Sequence, residues 1–122
     1  MKPLHTSLAA AAFLAAMLAS PLALAHASLK SSNPEAGATL DAAPKTITLT
    51  FNEKVEEAFS SIAVAGANGN IAAPGKARVD PVNPAILRLE LPGLTAGAYT
   101  VTWAVAGQDG HRRKGDFRFS VK

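Results

Sequence analysis

Four short segments of this chain alternate apolar and polar residues with a period of two, and that pattern limits what the chain can become. Residues 46–51 set Ile47, Leu49 and Phe51 against Thr48 and Thr50, and residues 86–91 set Leu87, Leu89 and Leu91 against Arg88 and Glu90. Tyr99, Val101, Trp103 and Val105 alternate with Thr100, Thr102 and Ala104, while Phe117, Phe119 and Val121 alternate with Asp116, Arg118 and Ser120. Successive strand side chains point to opposite faces, so each segment reads as a strand with one dry and one wet face. Turn chemistry separates them: Asn33-Pro34 through Gly37, Asn68-Gly69 within 66–70, the stretch 80–84, and Pro92, Gly93 and Gly97 within 91–97. The spacing predicts an all-β fold, a small Greek-key sandwich or barrel of immunoglobulin-like kind with about seven strands. Val55, Ala58 and Phe59 stand near helical spacing, so one helical turn is expected within 53–59, and Glu56 and Glu57 are expected to be solvated.

The amino-terminal 25 residues follow another logic. Lys2 supplies a charged start, residues 8–18 are small and apolar, Pro21 ends the run, and Ala23-Leu24-Ala25 offers an A-x-A cleavage site. The run is short of the roughly 20 apolar residues that span a bilayer, which favours export over anchoring. The expected organisation is a cleaved signal peptide, 1–25, and one domain, 26–122. That domain carries eleven Lys and Arg against nine Asp and Glu, a net charge of +2 that does not point to nucleic acid or an anionic membrane as its main partner. No cysteine is present, so an exported chain must hold its fold by its core alone. Met1 and Met17 both lie in the leader, which leaves the mature domain without any sulfur ligand.

Two histidines remain in the expected mature chain, His26 and His111. Cleavage after Ala25 makes His26 the first residue, with a free amine beside its imidazole. Reference pKa values of about 8 and about 6.5 let both nitrogens shed protons near neutral pH, so one residue can grip a metal twice. Ala25-His26-Ala27 is itself an A-x-A pattern, and cleavage after Ala27 would discard this histidine. The other histidine lies in Asp109-Gly110-His111, where an extended backbone would turn Asp109 and His111 to one side. An amine, two imidazoles and a carboxylate, with no sulfur, favour Cu(II) over Ni(II) and Zn(II). Taken alone, Asp-x-His also reads as a turn with a surface histidine.

At these residues the sequence resembles the CopC family of periplasmic copper-resistance proteins. The likeness runs through His26-Ala27, Ser32-Asn33-Pro34, Gly37, Leu40, Ala43-Pro44 and Phe51-Asn52-Glu53. It continues through Leu94, Gly97, Tyr99, Val101 and Trp103 to Asp109-Gly110-His111, Gly115 and the closing 117–121 strand. The resemblance implies a cupredoxin-like β-barrel and a periplasmic copper carrier, not an enzyme. It implies one Cu(II) per mature chain, held by His26, Asp109 and His111, and cleavage after Ala25. It also suggests transfer of copper to an inner-membrane importer of the CopD type, and the chain itself is expected to be a monomer. The methionine-rich Cu(I) loop of some relatives has no counterpart in 65–82. Glu53 is a candidate to steady a ligand imidazole. Arg112-Arg113-Lys114 replaces the proline and small residues common there, and is expected to be a solvated basic turn, with a docking patch as the other reading. Trp103 is expected in the core.

Two further functions compete with the carrier. An N-terminal histidine copper site also resembles that of copper polysaccharide monooxygenases, but Tyr99 and Trp103 share the inward parity and no exposed aromatic stripe is evident. A metal-free adhesion or structural module is the other. No G-x-S-x-G pattern accompanies either histidine, which argues against a serine triad.

Overall fold

The computed structural model describes residues 27–73 and 75–122, so the expected leader and the ligand assignment to His26 lie outside the described residues. Eight strands follow one another: β1 (Leu29–Asn33), β2 (Thr39–Leu40), β3 (Thr46–Phe51), β4 (Ser61–Gly66), β5 (Arg78–Val79), β6 (Ile86–Glu90), β7 (Gly97–Ala106) and β8 (Arg112–Val121). A 3-10 turn, Glu57–Phe59, stands within the segment expected to be helical. The strands form two four-stranded sheets, ordered β1-β3-β6-β5 and β2-β8-β7-β4. The architecture is therefore a sandwich of two open sheets and not a closed barrel. The surplus over seven strands lies in β2 and β5, which at two residues each are too short to leave an alternation in the sequence.

The alternating segments bury the faces that their parity requires. Ile47, Leu49 and Phe51 of β3 are buried, as are Leu87 and Leu89 of β6, and the two strands meet with Ile47 opposite Leu89 and Leu49 opposite Leu87. From the other sheet β7 contributes Tyr99, Val101, Trp103 and Val105, and β8 contributes Phe117, Phe119 and Val121. Two aromatic contacts organise this layer. Phe51 meets Trp103 edge to face with centroids 5.3 Å apart, and Tyr99 stacks on Phe119 at 5.5 Å. The Tyr99 hydroxyl donates to the Thr95 carbonyl at 2.6 Å, which satisfies the polar tip of an otherwise buried ring.

Trp103 needs space on its neighbour. It lies directly across from Gly115, and a Cβ built there would come within 2.6 Å of Cζ2 and 2.9 Å of Cε2 of the indole. The ring is wedged against Phe51 and cannot retreat cheaply, so Gly115→Ala should cost about 1–3 kcal/mol through overpacking.

Residues 80–84 form the expected turn. The Asp80 carboxylate accepts the Val82 and Asn83 amides at 2.8 and 2.9 Å and pairs with the Arg88 guanidinium. That pairing offsets a local conflict, because Arg78 and Arg88 stand directly opposite on β5 and β6 and like charges there oppose each other. The hydrogen bond from Arg88, then those from Asn83 and Val82, hold the Asp80 carboxyl down to a pKa of about 2. A depressed carboxyl pKa stabilises the fold above the unfolded value of about 3.9, and the contribution disappears as pH falls through about 2. Asp80→Asn should therefore melt earlier than the wild type at pH 7. The gap should close between about pH 4 and pH 2, as thermal melts across that range would read.

One surface expectation changes. Residues 112–114 do not form a turn: they extend β8, where Arg112, Arg113 and Lys114 face Ala106, Val105 and Ala104. The hairpin is tighter than the charge run suggested, so these exposed side chains sit on a paired backbone. Glu57 is exposed as expected, and its carboxylate also accepts the Val79 amide at 2.8 Å, which ties the 3-10 turn to β5.

Candidate metal centre

The β7–β8 hairpin closes through Gly107 and His111. The Gly107 amide donates to the His111 carbonyl at 3.0 Å, and the Gly110 amide donates to the Gly107 carbonyl at 3.0 Å. Gln108, Asp109 and Gly110 make the loop, with Gly110 at φ +82°, a left-handed conformation that a residue with a Cβ resists. Asp109 and His111 are thus brought together by a hairpin loop. The extended alternation expected from the sequence is not what joins them.

Their contact is direct. The His111 amide donates to Asp109 Oδ1 at 3.0 Å, and Nδ1 of the His111 ring lies 2.8 Å from Asp109 Oδ2. One carboxylate therefore sets both the backbone and the ring of His111, the arrangement by which acids commonly orient a ligand imidazole. With Nδ1 committed to the carboxylate, Nε2 is the ring nitrogen suited to a metal. The His111 side chain is 60% exposed, so an ion can approach it.

Glu53 joins this end of the sandwich through a glycine. A Cβ on Gly107 would collide with Glu53 Oε1 and lie 3.1 Å from Asp109 Oδ1, so both carboxylates crowd the bare side of Gly107. Val55 forms a bridge with Gly107 as well. The sequence marked Glu53 as a supporting residue but carried no signal for Gly107, whose role depends on a pairing between distant segments. Gly107→Ala meets the end of a flexible side chain, unlike Gly115→Ala, which meets a wedged ring. It should cost under about 1 kcal/mol and displace the Glu53 carboxylate, and paired thermal melts of the two variants would read the contrast.

The start of the described chain reaches the same end. Ala27 is wholly buried, the Ser28 amide donates to Asn52 Oδ1 at 2.7 Å, and the Asn52 amide donates to the Ser28 carbonyl at 3.0 Å. Leu29 then pairs with Phe51. Among the described residues no three His, Cys, Asp or Glu side chains converge as a metal site. Asp109 and His111 are brought together, and His26 lies outside the described residues.

A small two-sheet β-sandwich that displays an imidazole–carboxylate pair on a hairpin loop at one end defines the class of protein. The chain belongs to the CopC family, whose CopC domain matches residues 29–122. Protein YobA of Escherichia coli (strain K12) is 42% identical over 115 residues, which cover 93% of this chain and 92% of YobA. The crystal structure of CopC from Methylosinus trichosporium OB3b superposes with a TM-score of 0.76 at 33% identity, covering 80% of this chain and 94% of that one. PcoC, a methionine-rich copper resistance protein from Escherichia coli, gives a TM-score of 0.67 at 33% identity over 80% of this chain and all of PcoC. In this chain methionine occurs only at Met1 and Met17.

Proposed function

We propose that this protein is a non-catalytic copper carrier of the periplasm that holds one Cu(II) and hands it on, with a copper importer of the inner membrane as receiver. The ligands are the amine and imidazole of His26, generated by cleavage after Ala25, together with Asp109 and His111. The observation that carries this reading is that Ala27 and Ser28 are anchored beside Asn52, at the end of the sandwich where Glu53, Asp109 and His111 gather. Ala27, the residue that would follow the new amino end, is wholly buried. Membership of a family that includes a protein described as a copper resistance protein supports copper as the cargo. Nitrogen and oxygen donors without sulfur favour the cupric ion. For Asp109 to act as a direct donor beside Nε2 of His111, its carboxylate has to leave Nδ1, so the contact of the metal-free chain is one that copper binding replaces.

Intact mass of the exported protein, combined with electron paramagnetic resonance of its Cu(II) form, tests the proposal. The expected result is a chain beginning at His26 and a spectrum with several nitrogen donors. A chain beginning at Ser28, or the spectrum of the aqueous ion, would refute it. An added residue before His26 turns the amine into an amide and should be as damaging as removing a ligand.

A further inference from the structure

Charge is unevenly distributed over the strands. Of the eleven cations in 26–122, four (Arg112, Arg113, Lys114 and Arg118) fall in β8, against the single acid Asp116. All five side chains are exposed. The same strand is an open edge over much of its length. On one side β7 pairs with it from Arg112 to Val121, but on the other β2 covers only Ser120 and Val121.

The hydrogen bonds identify which backbone groups face outward. The Arg118 carbonyl accepts the Gly37 amide at 2.7 Å, and the amides of Ser120 and Lys122 donate to the Ala38 and Leu40 carbonyls at 2.9 Å. Even-numbered residues therefore turn away from β7. The antiparallel ladder alternates, so Arg112, Lys114 and Asp116 also present N–H and C=O outward. Among the described residues no strand covers them.

Such an edge invites pairing, and basic side chains along it repel a second identical edge. What remains complementary is an extended segment carrying negative charge, which gains ladder hydrogen bonds and opposite-charge neighbours together. The edge also begins at the residue after His111. At that end Phe59 is 59% exposed, with the Arg112 guanidinium carbon 5.9 Å from its ring centre. Phe59 and Arg112 help line a concavity of about 380 Å³ beside Gly107 and Gly110, but it lies across β7, where Glu56 and Ser60 meet Ala106, and is not part of the outer edge of β8.

We propose that the outer edge of β8, residues 112–116, is a docking strand for an acidic extended segment of the protein that exchanges metal with this one. The partner's role in metal exchange rests on the function proposed above. The open edge and its charge do not.

The test uses the full exported chain, metal-free and 15N-labelled, with a ten-residue peptide alternating glutamate with valine. The expected result is slowed hydrogen exchange and shifted amide signals at Arg112, Lys114 and Asp116, weakened by salt. Lys114→Glu and, should that variant fold poorly, Lys114→Gln should each weaken binding, by about tenfold for the charge reversal. N-methylating the peptide's edge-facing amides should abolish it. No binding, largest shifts on another strand, equal binding by the N-methylated peptide, or unchanged affinity in the Lys114 variants would each overturn the proposal. Tighter association with phosphatidylglycerol vesicles without amide protection would assign the basic row to a lipid surface and overturn it too. Because peptide binding is read without metal, its failure and the failure of the Cu(II) site are separate results.

Discussion

His111→Ala will lower the affinity of the exported protein for Cu(II) by at least about 100-fold. Loss of an outer partner of a ligand typically costs about 10- to 100-fold in metal affinity, and removal of a direct nitrogen donor exceeds that. The fold should not be at stake, because the ring is exposed and Asp109, which it contacts, stands on the same hairpin loop and not in the core. Asp109→Asn separates two roles. An amide oxygen is a neutral and weaker donor, and it holds the imidazole less firmly than a carboxylate does, so binding should persist at reduced affinity. Competition titrations against a chelator of known affinity give the constants. Wild-type affinity in both variants would remove the hairpin from the site. A second readout is thermal: Cu(II) at about 100 times its dissociation constant should stabilise the wild type by roughly 2.7 kcal/mol and should stabilise His111→Ala far less at the same concentration.

Phe51→Ala will destabilise the sandwich by about 3–5 kcal/mol, more than the overpacking at Gly115 or any substitution at the rim. Phe51 is 2% exposed and lies against the indole of Trp103, so its removal leaves a cavity between the sheets and deprives Trp103 of its edge-to-face partner. With no cysteine to staple the domain, the core has no covalent reserve. Domains of this size change melting temperature by about 4–8 °C per kcal/mol, so the midpoint should fall by more than about 12 °C. The effect should reach the Asp109–His111 end as well. Phe51 pairs with Leu29 and is followed directly by Asn52, which holds Ser28, and by Glu53, which lies against Gly107. Circular dichroism melts with and without Cu(II) would separate the two consequences. An unchanged midpoint would mean that the two sheets are not held together as the contacts indicate.

These expectations put stability and site in different hands. The Asp80 turn, the Gly115–Trp103 contact and the Phe51 layer maintain the sandwich, whereas Asp109, His111, Glu53 and Gly107 occupy its rim. Substitutions at the rim should alter metal binding with small changes in melting temperature. Substitutions in the layer should lower both.

What residue order alone determined was local. Side-chain direction in a strand repeats every two residues, so the alternation of 46–51, 86–91, 99–105 and 117–121 sufficed to identify four strands and their buried faces, including the inward Trp103. Asp109-Gly110-His111 was legible because its three residues are contiguous, and the family was legible because its motifs occur in order. Pairing between distant segments was not, since a period of two says nothing about which strand lies beside which. Only the tertiary structure decided that two open sheets form in place of a closed barrel, and that a loop joins Asp109 to His111. It alone set Glu53 over Gly107, tied Glu57 to β5 and left Phe59 exposed. The basic run 112–114 illustrates the reason. Its charges suggested a turn, but the hairpin register gave its backbone a partner on β7 and left its outer edge open.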